Sequence, residues 1–247
     1  MKKILDIVVP TETKKTILDK ILIGLSNKSG FIHIISLNPE ILVIAQKNKL
    51  FKNVVRKAEI KIIDGIGIVV AAKMLKFKCG ERYPGVDLMG DILKSSSVGR
   101  LRVVFIGGRD NLAEELANCY SKKYAQNTFF GIKGIENIKK AKKSEEDRIF
   151  SIITDIKPHF LFIAFGSPDQ EIWLWNHRSK LKGIICMGVG GAFDYLIGKV
   201  KRPLPFIRNS GLEWLYRLIL QPWRWKRQLR LIEFLSLVLK QKIKNTK

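Results

Sequence analysis

Residues 60–70 read Ile60-Lys61-Ile62-Ile63-Asp64-Gly65-Ile66-Gly67-Ile68-Val69-Val70, and the reading of this stretch decides the fold. A β-branched run ends in an acid, two glycines follow within three residues, and an apolar, helix-compatible segment begins. That is a strand leaving a sheet, a tight turn and a helix start. In open α/β sheets ligands bind beyond the carboxyl ends of the strands, which puts Asp64 where chemistry is usually done. Capping the next helix is the other common use of an Asp here, and the stretch alone leaves both open.

Working outward, the same rhythm recurs on both sides. Upstream, Ile4–Val9 reads as a strand, Thr11–Ser26 as a helix and Phe31–Leu37 as a second strand. Asn38-Pro39-Glu40 then opens a helix to about Gln46, with Asn as cap and Pro at the first helical position. Ala58–Ile63 is the strand that ends at Asp64, and its helix runs to about Leu75. Lys76–Gly85 is irregular and Val86–Ser95 helical. Downstream, strands are expected at Leu101–Ile106, Thr128–Ile132, Phe160–Phe165 and Gly183–Val189. Helices are expected at Asn111–Tyr124, Ser144–Ile156 and from Gly166-Ser167-Pro168 to Arg178. Fully apolar strands alternating with helices signal a mainly parallel sheet covered on both faces, with a Rossmann-like rhythm from Leu101 to Val189.

After Lys199 the pattern changes. Pro203 and Pro205 break the chain, and helices are expected at about Phe206–Leu220 and Trp223–Lys244. This predicts an α/β domain over 1–198 and a basic, Trp-rich helical appendage over 199–247. Three of the five tryptophans, Trp214, Trp223 and Trp225, lie in the appendage, beside the apolar segment Leu229–Leu239. Tryptophan and basic residues flanking a short apolar face suit a helix lying on a membrane, or one packed on the domain.

The 247 residues carry 45 Lys and Arg against 22 Asp and Glu, a net +23. From Lys199 to Lys247 there are 13 Lys and Arg against Glu213 and Glu233, a net +11, so nearly half the excess lies in the last fifth. Such an excess implies an anionic partner: nucleic acid, a phosphate-bearing substrate or a membrane surface. Genome bias towards Lys and Ile would raise the total without concentrating it there. No stretch of 18 uncharged apolar residues exists, and the apolar run after Lys3 is interrupted by Asp6, so neither a span nor a signal peptide is expected. Cys79, Cys119 and Cys186 are odd in number and scattered, which fits a reducing compartment without a disulfide framework or zinc site.

Four expected strand ends carry polar or glycine-rich residues: Ser36–Asn38, Asp64–Gly65, Gly107–Asp110 and Gly166–Gln170. A parallel sheet brings such ends to one edge, where backbone N–H groups and helix N-termini favour phosphate. Gly107-Gly108 is not a GxGxxG fingerprint and serves equally as a simple turn; no P-loop motif occurs. His33, His159 and His177 stand near no serine or cysteine elbow, and no Asp-x-Asp pair suggests a sugar-nucleotide metal site. What remains is a lone acid with basic and amide residues. Arg82, in an irregular loop, has the planar fork suited to diphosphate. Gln170, at a helix start, suits hydroxyl recognition.

Taken together, SLNPE at 36–40, DGIGIVV at 64–70, ERYPGVDL at 81–88, FIGG at 105–108, FGSPDQEIW at 165–173, GVGGAFDYLIGKVKRPLP at 188–205 and GLEWLYRLILQPWRWKRQ at 211–228 resemble the WecG/TagA/CpsF glycosyltransferases. The blocks run over essentially the whole chain in order. The resemblance implies transfer of a sugar, typically of the N-acetylmannosamine type or a related hexose, from a UDP-sugar to a polyprenyl-diphosphate-linked acceptor in cell-surface polymer synthesis. It implies Asp64 as general base, Ser36 and Asn38 near the nucleotide-sugar, and Arg82 and Gln170 at the donor. It also implies inversion and independence of metal or other cofactor. The C-terminal block resembles the family's membrane-targeting appendage. There Arg217, Arg224 and Arg227 share one face if the helix continues through Pro222, as candidates for the acceptor diphosphate. Ser36 replaces the usual Thr, and Lys201-Arg202-Pro203-Leu204-Pro205 stands where Arg-Ala-Pro is common.

The expected setting is the cytoplasmic face of a bacterial membrane, bound peripherally to its anionic surface. Nucleic acid is not an expected partner, and a homo-oligomer is compatible with this reading. Two rivals are a nucleotide-dependent oxidoreductase, disfavoured by the missing fingerprint, and a basic nucleic-acid-binding protein, for which steep salt dependence would speak.

Overall fold

The computed structural model describes residues 2–25, 30–95, 100–209, 211, 213–220, 222 and 225–246; side chains 205, 209, 217, 220, 226–228 and 246 lie outside the description. The chain opens with a two-stranded antiparallel hairpin, β1 (Lys3–Ile4) and β2 (Ile7–Val8). The single strand expected over Ile4–Val9 is therefore broken. Leu5 and Asp6 take φ of 50° and 65°, the left-handed pair of a two-residue hairpin turn. Tertiary contacts hold that turn: Gln241 Oε1 accepts from Leu5 N at 2.8 Å, and Gln46 Nε2 donates to Leu5 O at 3.0 Å.

The hairpin leads to α1 (Lys14–Gly24), capped by Thr13, then to β3 (Ile32–Leu37) and α2 (Pro39–Lys47). Asn38 Oδ1 caps α2 through Ile41 N at 2.9 Å, with Pro39 in the first helical turn, as its sequence indicates. Helix α3 (Lys49–Lys57) was not expected. Asn48 starts it, and Phe51, Val54 and Val55 at i, i+3 and i+4 seat it in the core. There follow β4 (Ile60–Ile63), α4 (Ile66–Met74) and α5 (Gly85–Lys94). The second half runs β5 (Arg102–Gly107), α6 (Leu112–Lys123), β6 (Thr128–Ile132), α7 (Lys143–Ile156), β7 (Phe160–Ala164), α8 (Asp169–Asn176), β8 (Ile185–Gly188) and α9 (Ala192–Ile197).

The six longer strands form one sheet, in the order β4-β3-β8-β7-β5-β6, and every neighbouring pair is parallel. Alternate residues supply its two faces. Val103 and Phe105 join the core beneath α1, α5, α6 and α9, whereas Val104 and Ile106 face α7 and α8. At the β3–β4 end, Ile35, Leu37 and Ile63 pack with α2, α3 and α4 on that second face. From β5 the chain moves to one edge, and from β7 it moves the other way to β8. Helices α6 and α8 therefore leave neighbouring strands on opposite faces, which opens a crevice at the strand ends.

After α9 come α10 (Pro205–Asn209), α11 (Glu213–Leu220) and α12 (Trp225–Thr246), so the helix expected over Phe206–Leu220 is divided in two. Helix α12 packs on α2 and α4, and its Phe234 and Val238 are fully buried in their core. Glu40 at the start of α2 pairs with Arg230, and Glu233 pairs with Lys47 at 2.7 Å. Leu229, Ile232, Leu239 and Ile243 stay exposed on the same helix. Among the described residues no helix is long and apolar enough to cross a membrane. The three cysteines are all free of disulfides.

Candidate active site

The first two strand ends come together because β3 and β4 are paired with Leu37 opposite Ile63. Leu37 O accepts from both Asp64 N at 2.9 Å and Gly65 N at 3.3 Å, so the Asp64 turn is tied to the Asn38 turn. The chain then returns to the same place. Tyr83 N donates to Ile63 O at 2.7 Å, and Arg82 forms a parallel bridge with Ile63, extending the sheet edge by one residue pair. Helix α5 consequently starts beside Asp64.

Asp64 does not cap the helix that follows it. That helix, α4, has Gly65 as its cap residue and no side-chain cap. Asp64 Oδ1 instead accepts from Gly85 N at 3.3 Å, the first residue of α5. The carboxylate is half-buried at the sheet edge, near a helix N-terminus that favours its charge. Ser36 Oγ lies against the same residue, since a Cβ added to Gly85 would stand 2.8 Å from it. Ser36, Asn38, Asp64 and Arg82 thus converge on one end of β3 and β4. Asn38 also has a structural task as the α2 cap.

Gln170 stands elsewhere, at the β7 end, and only 3 % of it is exposed. Its Oε1 accepts from Gly166 N at 3.1 Å, and its Nε2 donates to Ser167 Oγ at 3.1 Å and Glu171 Oε1 at 2.7 Å. Both ends of the amide are spent on shaping the Gly166–Pro168 turn. Burial raises the Glu171 carboxyl above its ordinary range, although the bonds from Gln170 and Ser167 pull the other way. Beside this turn a cavity of about 310 Å³ opens at the crevice, lined by Gly107, Gly108, Lys133, Gly134, Glu136 and Phe165 among others. Gly107 and Gly108 have φ of +90° and +85°, which keeps backbone rather than side chain at the cavity mouth. The 133–138 loop in this wall carries no motif and was not anticipated. Strand spacing of about 4.8 Å sets the β5 end roughly 19 Å from β4, a span suited to an extended ligand.

The residues expected at the acceptor fare differently. Arg224 lies outside the described residues, as do the side chains of Arg217 and Arg227. The shared face required one helix through Pro222; α11 instead ends at Leu220 and α12 begins at Trp225, so no single helix carries it. Proline lacks the N–H that a continuing helix needs. A basic cluster missed in the sequence stands beside Asp64. Arg202 Nη1 meets Asp87 Oδ1 at 2.6 Å, Arg208 Nη1 is 4.0 Å from that oxygen, and Arg82 Nη2 donates to the Arg208 carbonyl at 2.8 Å.

The histidines are structural. His33 is fully buried, with burial lowering its pKa to about 3; His159 Nδ1 accepts from Arg102 N; His177 contacts Trp173 O. Among the described residues no group of three or more His, Cys, Asp or Glu could hold a metal ion.

An open parallel sheet with a carboxylate, helix N-termini and arginines gathered at its carboxyl edge is the arrangement of an α/β enzyme whose site lies beyond the strand ends. The chain belongs to the Glycosyl transferase WecG/TagA/CpsF family, whose pattern matches residues 2–247, and the protein is a glycosyltransferase. It is 31% identical over 217 residues to the N-acetylglucosaminyldiphosphoundecaprenol N-acetyl-beta-D-mannosaminyltransferase of Bacillus subtilis (strain 168), covering 86% of this chain and 80% of the relative. The protein of the same name from Staphylococcus aureus (strain NCTC 8325 / PS 47) is 28% identical over 196 residues, 79% of this chain and 74% of that one.

Proposed function

We propose that this glycosyltransferase moves an N-acetylmannosaminyl or closely related hexosyl unit from a UDP-sugar to a polyprenyl-diphosphate-linked saccharide, with inversion and without a metal ion. The observation that carries the reading is the Asp64 carboxylate, anchored by Gly85 N at a strand end with Ser36 and Arg82 beside it. In this mechanism Asp64 takes the proton of the acceptor hydroxyl. The hydroxyl oxygen bonds to the anomeric carbon, and the bond to the diphosphate oxygen breaks with its electron pair leaving on UDP. One base and one displacement invert the centre, whereas retention by double displacement would need a carboxylate nucleophile. Arg82 faces the developing charge of the diphosphate. Gln170 serves the donor by holding the Gly166–Pro168 turn at the crevice, where the nucleotide would lie along Gly107–Gly108.

The acceptor reading draws on the names of the relatives, and the membrane reading on the C-terminal helices. There a basic segment carries Trp225, Leu229, Ile232 and Ile243 exposed, the composition of a surface that rests on an anionic leaflet. Arg217, Arg224 and Arg227 remain the proposed contacts to the acceptor diphosphate; Arg217 belongs to α11 and Arg227 to α12. The assay is UDP release from a panel of UDP-sugars with a polyprenyl-diphosphate–GlcNAc analogue and EDTA present. Acceptor-dependent release from an N-acetylmannosamine donor that collapses in Asp64→Asn supports the reading. Undiminished turnover in that variant, or loss with EDTA, overturns the base or the metal independence respectively.

A further inference from the structure

Arg202 and Arg208 lie far from Asp64 in sequence, yet the fold seats both against the first turn of α5. Asp87, two residues after Gly85, holds Arg202 at 2.6 Å and has Arg208 at 4.0 Å, while Arg82 grips the Arg208 backbone carbonyl at 2.8 Å. Two guanidinium groups thus meet one carboxylate, with a third, that of Arg82, bonded to the backbone of Arg208. Arg202 Nε and Nη2 and Arg208 Nε are buried atoms with no hydrogen-bond partner among the described residues. Buried donors on charged groups are nearly always satisfied, because leaving them unmade is costly. A structural latch alone would need only the Asp87–Arg202 pair; it gives no reason for three further N–H groups to converge unpaired.

We infer that Arg202 and Arg208, braced by Asp87 and Arg82, form a diphosphate-binding site beside Asp64. The planar guanidinium forks, with N–H groups left unpaired, match the oxygens of a diphosphate. The site deepens the glycosyltransferase reading and rests on it for the source of the ligand. Two diphosphates come near the base in that reaction: the leaving group on the anomeric carbon, and the lipid diphosphate one sugar ring from the attacking hydroxyl. Both present the same chemistry to the arginines.

The test is calorimetric titration of the full chain at fixed ionic strength with inorganic pyrophosphate, UDP and a short-chain prenyl diphosphate. The variants are Arg208→Gln, which keeps the carbonyl held by Arg82, and Arg202→Lys, which keeps the charge facing Asp87 but loses the fork. Pyrophosphate and one of the two substrates should bind on the order of tenfold more weakly in both variants, at unchanged melting temperature. Loss confined to UDP assigns the donor, and loss confined to the prenyl diphosphate the acceptor. Pyrophosphate binding that responds to the variants in a protein binding neither substrate would keep the site and overturn the proposed UDP-sugar donor and prenyl-diphosphate acceptor. Wild-type substrate binding that both variants retain, or weakening only in step with a lowered melting temperature, would overturn the site and leave that reading standing.

Discussion

Asp64 and His33 show how little of a residue's role follows from its type. Asn at position 64 keeps an oxygen to accept from Gly85 N, so Asp64→Asn should retain the α5 start and lose only the base. Turnover in the UDP-release assay is expected to fall by about 10²–10⁴-fold with an unchanged melting temperature. His33 is held neutral by burial first and the Lys61 charge second, its pKa lowered to about 3 from 6.5. The unfolded chain therefore binds a proton below pH 6.5 that the folded chain refuses. The stability contributed by neutral His33 is whole above 6.5 and is lost as pH falls towards 3. His33→Leu removes two unpartnered ring nitrogens and this titration together. Between pH 7.5 and 5.5 wild type should lose about 1 kcal/mol more stability than the variant in urea unfolding.

At the scale of elements, α12 is the informative case. Its apolar residues divide: Phe234 and Val238 are buried against α2 and α4, and Leu229, Ile232 and Ile243 are exposed. Phe234→Ala should cost about 3–5 kcal/mol in equilibrium unfolding, as large core truncations do, and a cost below 1 kcal/mol would show that α12 is only loosely docked. The sequence displayed this helix's apolar content but not which part of it meets the body. Helix α3 has a local signature, Asn48 and the Phe51, Val54, Val55 spacing, but one weaker than those of the helix and strand on either side of it. The hairpin turn at Leu5–Asp6 was not legible. A leucine at positive φ has no local signature, and Gln46 and Gln241 secure it from distant parts of the chain.

For the whole molecule the net +23, and the +11 after Lys199, predict electrostatic association with membranes. The full chain should sediment with phosphatidylglycerol vesicles and not with neutral ones. Raising salt from about 0.1 M to 1 M, which shortens the screening length from about 10 Å to 3 Å, should release most of it. Equal binding to neutral vesicles would assign the attachment to the exposed apolar residues instead. Docking of α12 through Phe234, Val238, Arg230 and Glu233 joins the basic segment to the core that carries β3 and β4. A surface bound to lipid through that helix would hold the Asp64 edge at a set distance from the bilayer.

The sequence by itself determined the parallel α/β order, the strand that ends at Asp64 and the Asn38 cap, because periodicity, β-branching and cap chemistry act over a few neighbouring residues. It also carried the family, whose blocks lie in order along the chain. Only the tertiary structure decided which groups share a site. Asp64 accepts from the first residue of α5 rather than capping α4, Gln170 is consumed within its own turn, and Arg202 and Arg208 reach Asp87 across more than a hundred residues. The reason is physical: pairings made by sheet closure and by the returning C-terminal segment depend on where the chain comes back, and no local pattern records that.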